Sequence, residues 1–250
     1  MPLWLQAFGW GALAGGALLA GSAIAWKWTV PPRTVAFVMA FGAGVLISAL
    51  AFELVAEAQE AGGLAPTAFG FLVGAVTYVG ANAILARRGA QHRKRSGGQQ
   101  PSDSDDAGSG NAIALGALLD GIPESVVLGL GLATGAVNPA VLVAISISNV
   151  PEGLSSTAGM KNAGRSSRYV FGLWGGIALV SGLAALAGYS LLAGASGVTV
   201  AFITAIAAGA ILAMVADTMI PEAFERQHML TGLIAALGFL TAFVVHEVSS

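Results

Sequence analysis

The chain has 250 residues, of which 56% are hydrophobic and only 10% are charged, against roughly a quarter charged in ordinary soluble domains. This composition predicts an integral membrane protein, and a formal net charge of -2 gives no support to nucleic-acid binding. The absence of cysteine excludes disulfides and thiolate metal ligands.

Eight apolar runs follow one another along the chain, each of about 20 residues, the length that crosses the hydrocarbon core of a bilayer. They run near 3–26, 34–57, 66–86, 111–133, 139–160, 169–194, 199–222 and 230–248. Helices are predicted rather than a β-barrel, because the runs are continuous and lack the roughly ten-residue alternation of barrel strands. We expect the first run to be retained as a span, since no Lys or Arg precedes it as in a secretory signal.

The basic residues all fall in alternate loops of this scheme. Because Lys and Arg concentrate in cytoplasmic loops, this distribution predicts that both termini lie outside. The residues are Lys27, Arg33, Arg87, Arg88, Arg93, Lys94, Arg95, Lys161, Arg165, Arg168 and Arg226. The short loops favour a bacterial plasma (inner) membrane as the location.

Four regions follow from this scheme. Spans one to three occupy residues 1–86, spans four and five occupy 111–160, and spans six to eight occupy 161–250. The connection 87–110 changes from basic to acidic and is rich in Gly and Ser. We therefore expect it to be a disordered cytoplasmic linker.

An internal repeat relates the second and seventh spans. Residues 37–60 align without gaps on residues 202–225, with Glu57 opposite Glu222. The two spans cross the membrane in opposite directions, which is typical of inverted-repeat carriers with a binding site near the midplane. The prediction is an all-α membrane protein with an inverted repeat of spans 1–3 and 6–8 around the central spans 4 and 5.

Two Pro-Glu steps lie inside the central spans, at Pro123-Glu124 and Pro151-Glu152. A carboxylate inside a bilayer costs at least a few kcal/mol, and a proline there removes a helical hydrogen bond as well. Two such steps on adjacent spans therefore indicate a function. Helical spacing places Asp120 on the same face as Glu124.

The second step has polar neighbours too, because Ser148 shares a face with Glu152 and Asn149 lies beside Ser148. No Lys or Arg lies within a predicted span, so a cation or protons must supply the missing positive charge. A hard or borderline divalent metal ion meets that need. The predicted ligands are Asp120, Glu124, Ser148, Asn149 and Glu152, and the span acids Glu53 and Asp217 are predicted to pass the ion from and to the aqueous sides.

These features resemble the ZIP family of divalent-metal transporters. The resemblance lies in the Pro-Glu motifs on the fourth and fifth of eight spans, the long loop after span three, and residues 53–58 at the end of span two. It implies transport of zinc, iron, manganese or cadmium toward the cytoplasm, with Glu124 and Glu152 as the motif glutamates. The chain is a divergent member in this interpretation, because Asp120 and Ser148 stand where histidines are usual.

We therefore expect a secondary transporter that moves divalent metal ions through a carboxylate-rich site in the middle of the membrane. Without imidazole, the donors suit manganese, iron, magnesium or calcium better than a zinc-specific cage. The alternative is a carrier of the same fold for protons or another solute, without tight metal binding. An enzyme is not expected, since the motifs of intramembrane proteases are missing.

The expected partners follow from this function. They are the divalent metal ion, as transported substrate, and the lipid bilayer. No organic cofactor is expected, and a homodimer stays open as the assembly.

Overall fold

The computed structural model describes residues 1–96, 100, 109–135, 138–225 and 229–249. Most of the residues in these ranges are helical and none forms a strand, which confirms the predicted all-α class. The helices are α1 (Leu3–Lys27), α2 (Pro32–Ala49), α3 (Ala56–Gly62), α4 (Leu64–Leu85), α5 (Ser109–Thr134), α6 (Pro139–Asn162), α7 (Ser167–Leu192), α8 (Gly197–Met214), α9 (Ile220–Glu225) and α10 (Thr231–Ser249).

Short π-helical turns link some of these helices into longer passes. The turn Leu50–Val55 joins α2 to α3, the turn Val215–Met219 joins α8 to α9, and the turn Ala86–Ala90 extends α4. In the part of the chain that the structure describes, these elements form eight long helical passes close to the predicted spans. Within the described ranges, seven of them have the length and hydropathy to cross a membrane, and the eighth, α6, is less apolar. The molecule is therefore a multi-pass membrane protein.

The helix ends follow from local sequence signals. Asn138, Ser166 and Ser196 are the N-caps of α6, α7 and α8, and their side-chain oxygens accept hydrogen bonds from backbone amides of the first turn. Gly63 joins α3 to α4 with a φ of 85°, a left-handed conformation that glycine adopts without steric cost. These signals fix where the polar side chains of each helix start and stop.

The two central helices are surrounded by the others. Helix α6 packs against α1 and α2, and α5 packs against α1, α7 and α8. Outside these contacts, α4 packs against α8, and α2 packs against α10. The main apolar core lies between α2, α5, α6 and α8, and includes Leu46, Leu128, Ile145, Ile211 and Met214.

Several chain segments meet at one end of the bundle, which we call the basic end. Lys161 Nζ, at the end of α6, donates to the backbone oxygen of Trp26 at the end of α1 (2.8 Å). Arg95, after α4, donates to the backbone oxygen of Pro221 in α9 (3.0 Å). The predicted scheme also places these basic residues on one side.

The first part of the predicted linker differs from the expectation. Residues 91–96 turn back into the bundle, where Arg93, Lys94 and Ser96 are buried. The prediction of a disordered linker was wrong for this part, because buried acids inside the bundle attract its positive charges. The linker's residues 97–99 and 101–108 lie outside the described residues.

Candidate cation site

Three acidic side chains meet near the middle of α5 and α6. Asp120 and Glu124 lie one turn apart on α5, Glu152 lies on α6, and all three are buried. Lys94 Nζ lies 3.3 Å from Asp120 Oδ2 and 2.7 Å from Glu152 Oε1, so it bridges the two helices. We call these three acids with Arg93 and Lys94 the acid cluster.

A guanidinium group forms the second positive charge of the acid cluster. Arg93 donates to Asp120 through Nε (3.0 Å) and Nη2 (2.8 Å), a two-pronged geometry that only Arg can provide. Tyr78 Oη accepts from Arg93 Nη2 (2.8 Å) and donates to Asp120 Oδ1 (2.6 Å). Asn82 Oδ1 accepts from Arg93 Nη1 (2.8 Å). Burial alone lowers the pKa of the Arg93 guanidinium, but the Asp120 carboxylate outweighs it and raises this pKa above its usual value.

The acid cluster therefore corrects one sequence prediction. No Lys or Arg lies inside a predicted span, yet Arg93 and Lys94 reach the acids from the segment after α4. The prediction that only a visiting cation or protons can neutralise the acids was wrong. Long basic side chains extend well beyond their own backbone, and buried charges of opposite sign stabilise each other.

Glu124 is the member of the acid cluster with incomplete pairing. It is 2% exposed, and its Oε1 has no hydrogen-bond partner within the described part of the chain. The charges of Glu152, Lys94 and Asp120 all act on it. Because a buried unpaired carboxylate is costly, Glu124 requires either a proton or a further cation.

The two other predicted ligands on α6 are used within the protein. Ser148 Oγ donates to the backbone oxygen of Ile145 (2.9 Å), and Asn149 Nδ2 donates to the backbone oxygen of Ala14 on α1 (2.8 Å). Both side chains are buried. Across the described ranges, no three His, Cys, Asp or Glu side chains have the arrangement of a metal site.

Glu53 lies away from the acid cluster, near the opposite end of the bundle. Its carboxylate accepts a hydrogen bond from Asn138, the N-cap of α6, and lies 2.6 Å from His246 Nδ1 on α10. Asn138 Nδ2 also donates to Glu57 Oε1 (2.8 Å). Since Asn138 precedes Glu152 by several turns of α6, about 20 Å separate Glu53 from the acid cluster.

Asp217 contacts the acid cluster only indirectly. It lies exposed on the π-helical turn after α8 and accepts a hydrogen bond from Asn82 Nδ2 (3.3 Å). Asn82 in turn accepts from Arg93. Asp217 is therefore separated from Asp120 by two intervening side chains.

A cavity of about 470 Å³ opens on the side of Glu53. Its polar lining includes Glu57, Glu60 and Asn138, and its apolar lining includes Leu128. Leu128 is buried and follows Glu124 by one turn of α5, about 6 Å along the helix. The polar route from this side therefore ends at an apolar layer, one helical turn from the acid cluster.

On the other side of the acid cluster, a second polar group fixes the segment after α4. Glu222 is buried, and its Oε1 accepts from the backbone amide (3.0 Å) and the hydroxyl (2.5 Å) of Ser96. Ser155 Oγ on α6 lies 3.0 Å from the same oxygen. Glu222 comes at the end of the predicted seventh span, yet it is buried because Ser96 covers it.

Sequence reasoning missed Tyr78, Arg93, Lys94 and Glu222 as members or neighbours of the site. One signal could have found the two basic residues. The central spans carry an excess of acids, and a cluster of basic residues, 93–95, lies shortly after the third span. Summing the charges of each span together with those of its flanking residues would have paired these basic residues with the acids of the central spans.

The fold and the acid cluster together define a class of protein. It is an α-helical, multi-pass membrane protein with a buried ionic cluster between its two central helices. A comparison of the sequence with models of known protein families found no match, and a comparison with curated proteins found no significant match. The functional proposal therefore depends on the chemistry of the acid cluster.

Proposed function

We propose that this chain is a secondary transporter for divalent metal ions of the zinc, iron or manganese type. The ion binds Asp120, Glu124 and Glu152 and moves toward the cytoplasm. The observation that supports this most directly is Glu124 Oε1, which is buried, has no partner among the described residues, and lies within reach of two further acidic charges.

The donor chemistry supports a hard or borderline cation. Three carboxylates from two helices provide oxygen atoms, and Asn149 on α6 binds the backbone oxygen of Ala14 through its side-chain nitrogen. Carboxylate and amide oxygens suit manganese, iron and magnesium, and they also bind zinc. The resemblance to the ZIP family, with Glu124 and Glu152 at its motif positions, points to the same class of ion.

The helix pairing supports an inverted repeat. In such a repeat, spans one to three correspond to spans six to eight, and span four corresponds to span five. Under this correspondence, the contact between α4 and α8 matches the contact between α10 and α2. In the same way, the contact between α1 and α6 matches the contact between α7 and α5. The sequence alignment also places Leu50 opposite Val215, the first residues of two π-helical turns. Such repeats are typical of carriers that expose one site alternately to two sides.

The surroundings of the acid cluster support a route for the ion. Glu53 and the cavity beside Glu57 and Glu60 lie on one side of it, where cations from outside would collect. Asp217 lies toward the basic end, where the released ion would leave. The distribution of basic residues makes that end cytoplasmic in a plasma membrane.

One observation favours the alternative carrier. Asp120 already binds a guanidinium group through both oxygens, and Lys94 lies against Glu152. An acid cluster with its own positive charges fits a carrier in which Glu124 binds and releases a proton while another solute moves. Metal binding to the purified protein distinguishes the two proposals.

The test is uptake into proteoliposomes. Glu124→Gln should abolish saturable uptake of manganese, iron, zinc or cadmium, because it removes the charge of the unpaired group while keeping its size. Glu247→Gln is the control, since Glu247 is exposed on α10 and does not line the cavity beside Glu57 and Glu60. Unchanged uptake by a folded Glu124→Gln protein contradicts the assignment.

A further inference from the structure

We infer that residues 93–96 form a blocking segment that occupies the cation site and must leave before an ion can pass. This inference rests on the proposed function, since it describes how the same site is regulated. The blocking segment follows the end of α4 and extends from Asp120 and Glu152 toward the basic end.

The side chains of the blocking segment take the position of a cation. Lys94 Nζ lies between Asp120 and Glu152, the position in which an ion bridging α5 and α6 would lie. Arg93 uses both oxygens of Asp120. An ion bound by these carboxylates would repel both groups and would compete for the same oxygen atoms. Ion binding and seating of the blocking segment therefore oppose each other.

The backbone of the blocking segment is held by polar groups of the bundle. Ser156 Oγ donates to the backbone oxygen of Arg93 (2.6 Å), and Ser155 Oγ donates to that of Lys94 (2.6 Å). Glu222 holds Ser96. When the blocking segment leaves, these same hydroxyl and carboxylate oxygens line a polar path from the acid cluster to the basic end.

Two glycines provide the space in which the blocking segment sits. A Cβ atom at Gly116 on α5 would lie 2.5 Å from Arg93 Cδ, and its three nearest neighbouring atoms all belong to Arg93. A Cβ atom at Gly159 on α6 would overlap the backbone oxygen of Arg95, and its nearest neighbours belong to Arg95 and Gln100. Alanine at either position therefore meets Arg93 or Arg95 first and disturbs the seating of the blocking segment.

The two sides of this competition are linked thermodynamically. If the seated segment weakens ion binding by a given factor, a bound ion must weaken seating by the same factor. Divalent ions should therefore expose the segment, and variants that unseat it should bind ions more tightly. Both effects can be measured without transport.

Protection from trypsin tests the inference directly. Trypsin cleaves after Lys and Arg, and between Arg95 and Lys161 the chain has neither residue. In detergent, the native protein should be protected after Lys94 and Arg95, while cleavage after the exposed Arg87 and Arg88 reports general access of the protease. Mass spectrometry of the fragments separates these sites.

Gly159→Ala should be cleaved after Lys94 and Arg95 about fivefold faster than the native protein. This factor corresponds to a small loss of the free energy that favours the seated segment. Gly116→Ala should behave in the same way, and Mn²⁺ should produce the change in the native protein. Gly172→Ala is the matched control, because a Cβ atom there meets open space on α7. Equal protection of Gly159→Ala, Gly116→Ala and the native protein overturns the inference.

Uptake measurements separate this inference from the proposed function. If both are right, Gly159→Ala takes up Mn²⁺ about fivefold faster than Gly172→Ala at low ion concentration. If cleavage responds to Gly159→Ala and neither variant takes up metal, the blocking segment stands and the proposed function fails. If uptake is saturable and equal in both variants with unchanged cleavage, the proposed function stands and the blocking segment fails.

Discussion

The ammonium group of Lys94 lies 2.7 Å from Glu152 Oε1, although Lys94 lies in the connection after α4 and Glu152 lies on α6. Both side chains are buried. Removing one partner from a buried ion pair leaves an uncompensated charge, which costs more than removing both partners. Stability measurements on single and double variants should show this difference.

Replacing Lys94 with Gln removes the positive charge that faces Glu152. We expect the free energy of unfolding to fall by about 3 kcal/mol, because the acid stays buried without its partner. Adding Glu152→Gln to the same chain should restore more than half of this loss. Unfolding in detergent measures both effects, with the exposed Lys27→Gln as control. Additive effects of the two changes would contradict the pairing.

Replacing Arg93 with Lys tests the two-pronged contact with Asp120. The charge stays, but an ammonium group cannot match both carboxylate oxygens and Tyr78 at once. We expect a lower midpoint of thermal unfolding and a decrease of about 1–2 kcal/mol in the free energy of unfolding. Arg88→Lys, at an exposed position, should leave the midpoint unchanged. Equal midpoints for both variants would show that the two-pronged contact between Arg93 and Asp120 does not contribute to stability.

Replacing Tyr78 with Phe removes one hydroxyl from the acid cluster. This group donates to Asp120 and accepts from Arg93, and the side chain is fully buried. We expect a loss of about 1–3 kcal/mol of stability, since two charged groups each lose a hydrogen bond. Tyr189→Phe on α7 is the matched control. An unchanged midpoint of thermal unfolding would show that the Tyr78 hydroxyl does not stabilise the acid cluster.

Replacing Glu53 with Gln tests the relay from the opposite side of the bundle. The change removes a negative charge beside Asn138 and His246 and leaves the acid cluster untouched. If Glu53 collects cations, KM for uptake should rise by a factor of about ten while kcat changes little. Glu60→Gln, at the same cavity, should have a smaller effect. An unchanged KM would remove Glu53 from the route.

The helical architecture could be predicted because apolar runs of membrane length are a strong and local signal. The Pro-Glu steps also located Asp120, Glu124 and Glu152 correctly as neighbours, since helical spacing and adjacent spans fix their positions. Ser148 and Asn149 could be placed near them, but their use in helix bonding depends on packing partners such as Ala14.

The positive half of the acid cluster could not be predicted in the same way. Arg93 and Lys94 lie in a segment with a polar, flexible composition, and only the three-dimensional path of the chain brings them to Asp120. The position of Asp217 has a similar cause. Its π-helical turn changes the register of the pass, so the side chain is exposed and contacts Asn82 rather than the acid cluster.

The order of these charges along the chain has a consequence for biogenesis. Arg93 and Lys94 precede Asp120, Glu124 and Glu152, so the ribosome delivers the counter-ions before the acids. When the nascent α5 and α6 enter the bilayer, Arg93 and Lys94 are already present at the membrane surface from which α5 starts. The acids can therefore insert together with the groups that neutralise them.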